Sequence, residues 1–353
     1  MTAIPTVPPP TRAQFEQEYL APARPVVIKA GLGGGLARWT PESLAERLGD
    51  KPVSASISQS GVFHYDPVAV RKFRVVRRTF RQAVAEIGSG THGAMYLMQQ
   101  SIHENFPELA GDVRPPELLG DAPAAPHFWF GSADNVTPLH HDPLTNLFLQ
   151  VYGRKRFTLF DARQFEELYP FPASAHHSHL SYVDIENPDL ERFPLFAAAH
   201  RYEATLGPGD LLFLPAFWWH HVRSLDVSIS LNFWSAPALK DCLTPAGLRL
   251  LMTVYERDRL ATMGAPFRAA DGGFLESACE VFRLGRRWPA VLLASAAGGD
   301  LAGGELRAHF ERGRLADDSL FTDAEVNMIL AETARLLGVD YTPISSHRAV
   351  IGR

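Results

Sequence analysis

Between Pro126 and Ala236 the chain is written in short β-branched and aromatic runs, each closed by glycine, proline or aspartate. HFWFGS, NLFLQVYG, RKRFTLFD, HRYEATLGPGDLLFLP, HHVRSL and VSISLNFWS make up most of this stretch. Many short strands with turn signals between them predict a β-sandwich or barrel. RKRFTLFD and VSISLNFW alternate with period two, as strands do when one face is buried. Residues 161–200 interrupt the series with mixed content, and connections of that length are often functional.

The flanks have a different texture. The first residues, rich in proline, read as a flexible lead-in. PVVIKAGL (25–32) and KPVSASIS (51–58) read as strands. In WTPESLAERLGD, Thr40 is placed to cap a helix with Pro41 at its first position and Gly49 at its end. Thr79 and Gln82 form a capping box for TFRQAVAEIG. Residues 1–125 are therefore expected to build an N-terminal α/β shell, and residues 126–236 the β core. Beyond them, LTPAGLRLLMTVYERDRLA, GGELRAHFERGRL and TDAEVNMILAETARLLG have helical spacing, the last opened by Thr322 with Glu325 and closed by Gly338. Residues 237–353 are expected to be helical, with an apolar stripe suited to a homodimer interface. The fold class is mainly β with α.

Composition narrows the function classes. A net charge of −5 and a pI near 6.3 argue against a globally basic nucleic-acid binder. No run approaches the roughly 18 apolar residues that span a bilayer, and the N-terminus lacks the basic-then-apolar pattern of a signal peptide. The two cysteines, Cys242 and Cys279, exclude a disulfide framework and point to a reducing cytoplasm. They also leave any metal to nitrogen and oxygen ligands.

Such ligands stand in TPLHHD. In an extended strand His140 and Asp142 share a face and His141 points the other way. In GPGDLLFLPAFWWHHVRSL, His220 shares its face with Val222, while His221 shares its face with Arg223. The apolar side should be the interior, so His220 is the better third ligand, with His141 and His221 as outward neighbours. Two histidines and one carboxylate leave open coordination positions and suit non-haem Fe(II) chemistry with O2. A lone histidine among fourteen is ordinarily a satisfied core or surface residue; the grouping in one β-rich region sets these apart. His176, His177 and His179 lie in the insertion and read as loop or substrate-facing. Trp218, Trp219 and Trp234 read as barrel packing.

Taken together, NVTPLHHD, the run from Asn146 to Phe157, LYPFP, NPDLERFP, GPGDLLFLPAFWWHH and SLNFW resemble the cupin-like JmjC-domain oxygenases, small protein hydroxylases such as the asparaginyl hydroxylase that inhibits hypoxia-inducible factor among them. The resemblance spans about residues 15–236. It implies a double-stranded β-helix, or jelly roll, with iron at its open end held by His140, Asp142 and His220. It implies Fe(II), 2-oxoglutarate as co-substrate and O2, with succinate and CO2 as co-products of hydroxylation or demethylation. Lys155 falls on the lysine that pairs with the far carboxylate of 2-oxoglutarate. The strand pattern agrees, since Lys155 shares a face with Phe157 and Leu159, and a buried ammonium needs a carboxylate partner. Thr137, Asn146, Tyr96 and Asn232 match positions that hydrogen-bond the co-substrate. The asparagine-hydroxylating relative has an Arg-Gln pair where this chain has His179 and Leu180, so an asparagine target is not implied.

A protein or peptide side chain is the expected substrate. One rival is modified tRNA, for which RKFRVVRRTFR (71–81) would grip phosphates; a solvated, acid-balanced edge explains the same residues. Small-molecule or natural-product hydroxylation is another rival, and a non-catalytic metal-binding scaffold a third.

Overall fold

A computed structural model describes residues 1–65, 71–119, 126–171, 177 and 179–235. The chain divides into two units, Met1–Ser235 and Ala236–Arg353. The expected C-terminal helices, the expected dimer interface and both cysteines lie outside the described residues. Among the described residues no helix is long and apolar enough to cross a membrane.

The N-terminal part carries strands β1 (Thr2–Ala3), β2 (Thr6–Val7), β3 (Val26–Lys29), β4 (Pro52–Ser58), β5 (Arg74–Thr79) and β6 (Ala94–Ser101), with helices α1 (Arg12–Phe15), α2 (Pro41–Leu48) and α3 (Phe80–Ser89). Then follow β7 (His127–Gly131), β8 (Val136–His141), β9 (Thr145–Tyr152), β10 (Lys155–Phe160), β11 (Arg201–Leu206), β12 (Asp210–Leu214), β13 (Trp219–Ser224) and β14 (Ser228–Ser235). The smaller sheet runs β1-β11-β10-β13-β8, and the larger β2-β3-β12-β9-β14-β7-β6-β4-β5. From β7 to β14 the chain changes sheet at every turn except between β10 and β11, where the insertion lies. That winding is the double-stranded β-helix. The shell does not stand apart from it, because β6, β4 and β5 continue the larger sheet on one side and β3 and β2 on the other.

The helices form for the local reasons the sequence suggests. The Thr40 and Thr79 side chains each accept from the backbone N–H three residues on, and Pro41 opens α2. Gly49 ends α2 at φ +46°, a backbone region that disfavours a Cβ. The buried faces of α2 and α3 (Leu44, Leu48, Phe80, Ala83, Ile87) pack against the larger sheet through Leu97, Phe128, Leu149 and Leu231. Each such side chain contributes about 1.5–3 kcal/mol on burial.

Two expectations are corrected here. The first concerns the proline-rich start, which is pinned: β1 pairs with β11 and β2 with β3, both in parallel. Ile4, between them, is 5% exposed and donates its N–H to Glu203. Thr2, Ile4 and Val7 supply enough β-forming and apolar character to override the prolines.

The second concerns the alternation of VSISLNFW in β14, which does not separate core from solvent there or in the neighbouring β9. Residues 145–151 and 228–234 are buried without exception. Leu147, Leu149, Val151, Ile229, Leu231 and Phe233 pack towards the helices. The opposite parity, Asn146, Phe148 and Gln150 with Ser230, Asn232 and Trp234, lines the barrel. The barrel interior is thus the more polar side of these strands.

Candidate active site

β8 and β13 run antiparallel with His140 directly opposite His220, and the two rings lie 4.0 Å apart between centroids. Asp142 follows one residue beyond β8, with its Oδ2 3.8 Å from His220 Nε2. One ligand atom from each of the three falls within 4.8 Å of the others. Each histidine is fixed in the same way: His140 Nδ1 lies 2.7 Å from the Pro138 carbonyl and His220 Nδ1 3.1 Å from the Trp218 carbonyl. A carbonyl only accepts, so each Nδ1 carries the proton and each Nε2 presents a lone pair. Burial, with His140 adjacent, holds the His220 pKa well below its ordinary value, so the ring is neutral at physiological pH.

The turn before β13 is strained at Phe217, whose φ is +62°. Its N–H donates to the Asp142 carbonyl at 2.8 Å, which anchors the loop carrying that carboxylate.

Lys155, on β10, reaches into the same interior and is 1% exposed. Its Nζ donates to Tyr96 Oη at 3.1 Å and to Ser230 Oγ at 3.0 Å, and lies 5.3 Å from the Phe148 ring centre. Among the described residues no carboxylate pairs with it, and burial pulls its pKa down to about 7. Burial raises the Tyr96 hydroxyl far above its ordinary pKa, opposed by a hydrogen bond with Thr137. The structure thus brings Tyr96, Thr137 and Lys155 together. Simple alternation would set Thr137 opposite His140. A β-bulge in the β8–β13 ladder, between His220 and Val222, adds one residue to β8 and returns Thr137 to the inner side. Asn146 and Asn232 are 2% and 4% exposed on the inner face of the larger sheet. Both side-chain oxygens lack a partner among the described residues.

His141 and His221 take the outer side of the smaller sheet, as their parity requires, but are 5% and 4% exposed. The insertion is the reason. Its Leu168, Val183, Ile185, Phe193 and Phe196 pack on Leu139, Phe160 and Trp219 from outside, so the sheet has no solvent face there. Arg223 on β13 holds this cover through a fork to Glu186, with Nε 2.6 Å from Oε1. Trp219 belongs to that packing; Trp218 packs on Tyr202 at 5.5 Å.

The insertion then returns to the metal ligands, where Ser181 donates to the Leu139 carbonyl and His141 to that of His179. The His179 ring lies 6.3 Å from His140, and His177 stacks on Tyr65 at 3.8 Å. His176 lies outside the described residues. Sequence reasoning missed Ser230, Trp129, Phe148 and Gln150 as wall residues. The indole N–H groups of Trp129 and Trp234 are also buried without a partner among the described residues. The signal was present in the S-x-N-x-W alternation of β14, once the polar parity is placed inside.

Residues 12–239 match the family model of the cupin-like domain. The chain belongs to the cupin-like JmjC oxygenase family. Over 240 residues the cupin-like chain is 34% identical to lysine-specific demethylase 8 of Xenopus tropicalis, covering 66% of itself and 53% of that protein. Lysine-specific demethylase JMJ30 of Arabidopsis thaliana is 31% identical over 229 residues, 62% of this chain and 52% of that one. tRNA wybutosine-synthesizing protein 5 of Gallus gallus is 32% identical over 250 residues, 65% and 76% of the two chains. The cupin-like chain thus spans about half the length of the demethylases it matches.

The donor set fits the family's metal and co-substrate. Two neutral imidazoles and one carboxylate suit Fe(II). A buried ammonium with no acid beside it and indole donors with no partner, among the described residues, suit a small dicarboxylate deeper in the barrel.

Proposed function

We propose that this chain is an Fe(II)- and 2-oxoglutarate-dependent oxygenase that hydroxylates a side chain of a protein or peptide. The observation that carries the reading is the pairing, inside one barrel, of the His140–Asp142–His220 cluster with the acid-free buried Lys155. When bound, iron and 2-oxoglutarate together supply O2 activation, with succinate and CO2 as co-products. The residues do the rest. His140, Asp142 and His220 hold the metal, and their backbone hydrogen bonds keep both imidazoles in the ligating tautomer. Lys155 neutralises the far carboxylate, with the Tyr96 and Ser230 hydroxyls beside it and Thr137 orienting Tyr96. Asn146 and Asn232 offer amide groups to the remaining oxygens. Phe148 and Phe157, 4.8 Å apart across the two sheets, keep water from this end. His177, His179 and Tyr65 border the metal on the insertion side and face the incoming side chain.

A second reading, oxidation of a modified tRNA, draws on the relative named for wybutosine synthesis and on the basic segment 71–81. Both readings share one test. The protein is reconstituted anaerobically with Fe(II) and 2-oxoglutarate, then exposed to O2 with a peptide library or with bulk tRNA, and succinate is counted. Stimulation by peptides, lost in His140→Ala and Lys155→Ala, supports protein hydroxylation; stimulation by tRNA alone moves the reading to RNA. Failure to bind iron or 2-oxoglutarate ends both and leaves a scaffold.

A further inference from the structure

β5 is the outermost strand of the larger sheet, hydrogen-bonded to β4 on one side only among the described residues. Such an edge is a template for another strand unless it is blocked. Here it carries cations and one exposed apolar side chain. Arg74 and Arg77 are exposed and enter no ion pair among the described residues, while Arg78 is neutralised by Glu86 at 2.6 Å. Val75, between the two free arginines, is 47% exposed. Register fixes where these side chains lie. Val75 stands opposite Ser56, and Ser56 opposite Tyr96, so Val75 and Arg77 share the sheet face that leads into the barrel. Arg74 takes the other face with Val76, which packs on the helix-side core.

We propose that the free edge of β5 docks an extended acidic peptide, which joins the larger sheet as a further strand. Three features select this occupant. Among the described residues the edge offers main-chain groups with no strand partner, which an added strand satisfies along its length. The unpaired arginines lie on opposite faces of the strand, matching a chain whose acidic side chains alternate up and down. A second copy of β5 is disfavoured, since arginines would meet arginines. Nucleic acid is the weaker fit, because a phosphate backbone calls for cations converging on one surface. At about 4.8 Å per strand, the docked segment lies roughly 14 Å from β6, which carries Tyr96. The edge therefore holds a part of the substrate remote from the reacting side chain. This rests on the protein or peptide reading above, but its test needs no turnover.

The test is a fluorescence-anisotropy titration of the full chain with a labelled ten-residue peptide carrying Glu at every third position and Thr or Val between, so that successive acids fall on opposite faces of the strand. Comparison ligands are the same peptide N-methylated at alternate residues, a Lys-for-Glu version and a single-stranded RNA of equal length. The acidic peptide should bind, and at least tenfold more weakly to the Arg74→Gln/Arg77→Gln variant, with Arg24→Gln as the neutral control. N-methylation should cost a similar factor, and the Lys version should not bind. His140→Ala should bind as wild type does, so loss of the oxygenase reading would leave this result standing. No binding of the acidic peptide, indifference to N-methylation, or arginine-dependent binding of RNA alone would overturn the proposal.

Discussion

Lys155 sits among aromatic rings with only two hydroxyls for company, and its protonation carries an energetic signature. Its pKa falls from the ordinary 10.5 to about 7 on folding, through burial. Between those values the unfolded chain binds a proton that the native chain lacks, so stability rises with pH across that window and flattens on either side. One proton gives a slope of at most about 1.4 kcal/mol per pH unit. Thermal unfolding of the ligand-free protein from pH 7 to 10 should show the rise, and Lys155→Met should abolish it and unfold later at pH 7. An unchanged slope in that variant would assign the effect elsewhere. At this scale much of the candidate site was legible, because strand parity groups His140, Asp142 and His220, and the family resemblance points to Lys155 with parity in agreement. Thr137 was legible only through the family resemblance, since no period-two count foresees a bulge. Tyr96 is 59 residues from Lys155 in sequence, and only the fold brings them to 3.1 Å.

In the strands β9 and β14, the helix-facing parity carries stability and the inner parity carries the site. Leu231→Ala should cost about 2–5 kcal/mol by removing a fully buried side chain. Asn232→Leu, one residue on, removes an amide oxygen with no partner among the described residues and should leave the ligand-free protein equally or more stable, by up to about 1 kcal/mol. The same change should lower 2-oxoglutarate affinity, read by calorimetry beside the unfolding curves. The turn between β9 and β10 gives a sharper case. Gly153 has φ +67°, and a Cβ there would lie 2.1 Å from the Val227 carbonyl oxygen. Gly153→Ala should destabilise by about 3 kcal/mol, combining left-handed strain with overpacking. The alternation of VSISLNFW identified β14 correctly but could not say what each parity faced, because period two reports two environments and names neither. The insertion hid the answer for β8 and β13, turning an outer face into a buried one through Ile185 and Phe196.

For the whole unit, the metal should act as a clamp. Its ligands come from neighbouring strands and a loop, and an ion that binds only the folded state stabilises it in proportion to its concentration. Mn(II) or anaerobic Fe(II) at a hundred times Kd should add about 2.7 kcal/mol, visible as a raised Tm. Asp142→Ala should lose that shift; a shift of equal size in the variant would place the ion elsewhere. A β-sandwich or barrel was legible from the short runs and turns, and the jelly roll through the family resemblance. What the sequence concealed was how far the shell shares the larger sheet, because pairings such as Tyr96 with Gly131 join segments with no local signal linking them.

That division of labour between the faces of a strand bears on descent. When the residues that keep a protein folded and those that meet its ligands alternate along one ribbon, mutation can explore one set while leaving the other alone. A lineage built on such strands can trade one chemistry for another through inner-parity changes. The outward hydrophobic letters, meanwhile, pass on almost unrevised.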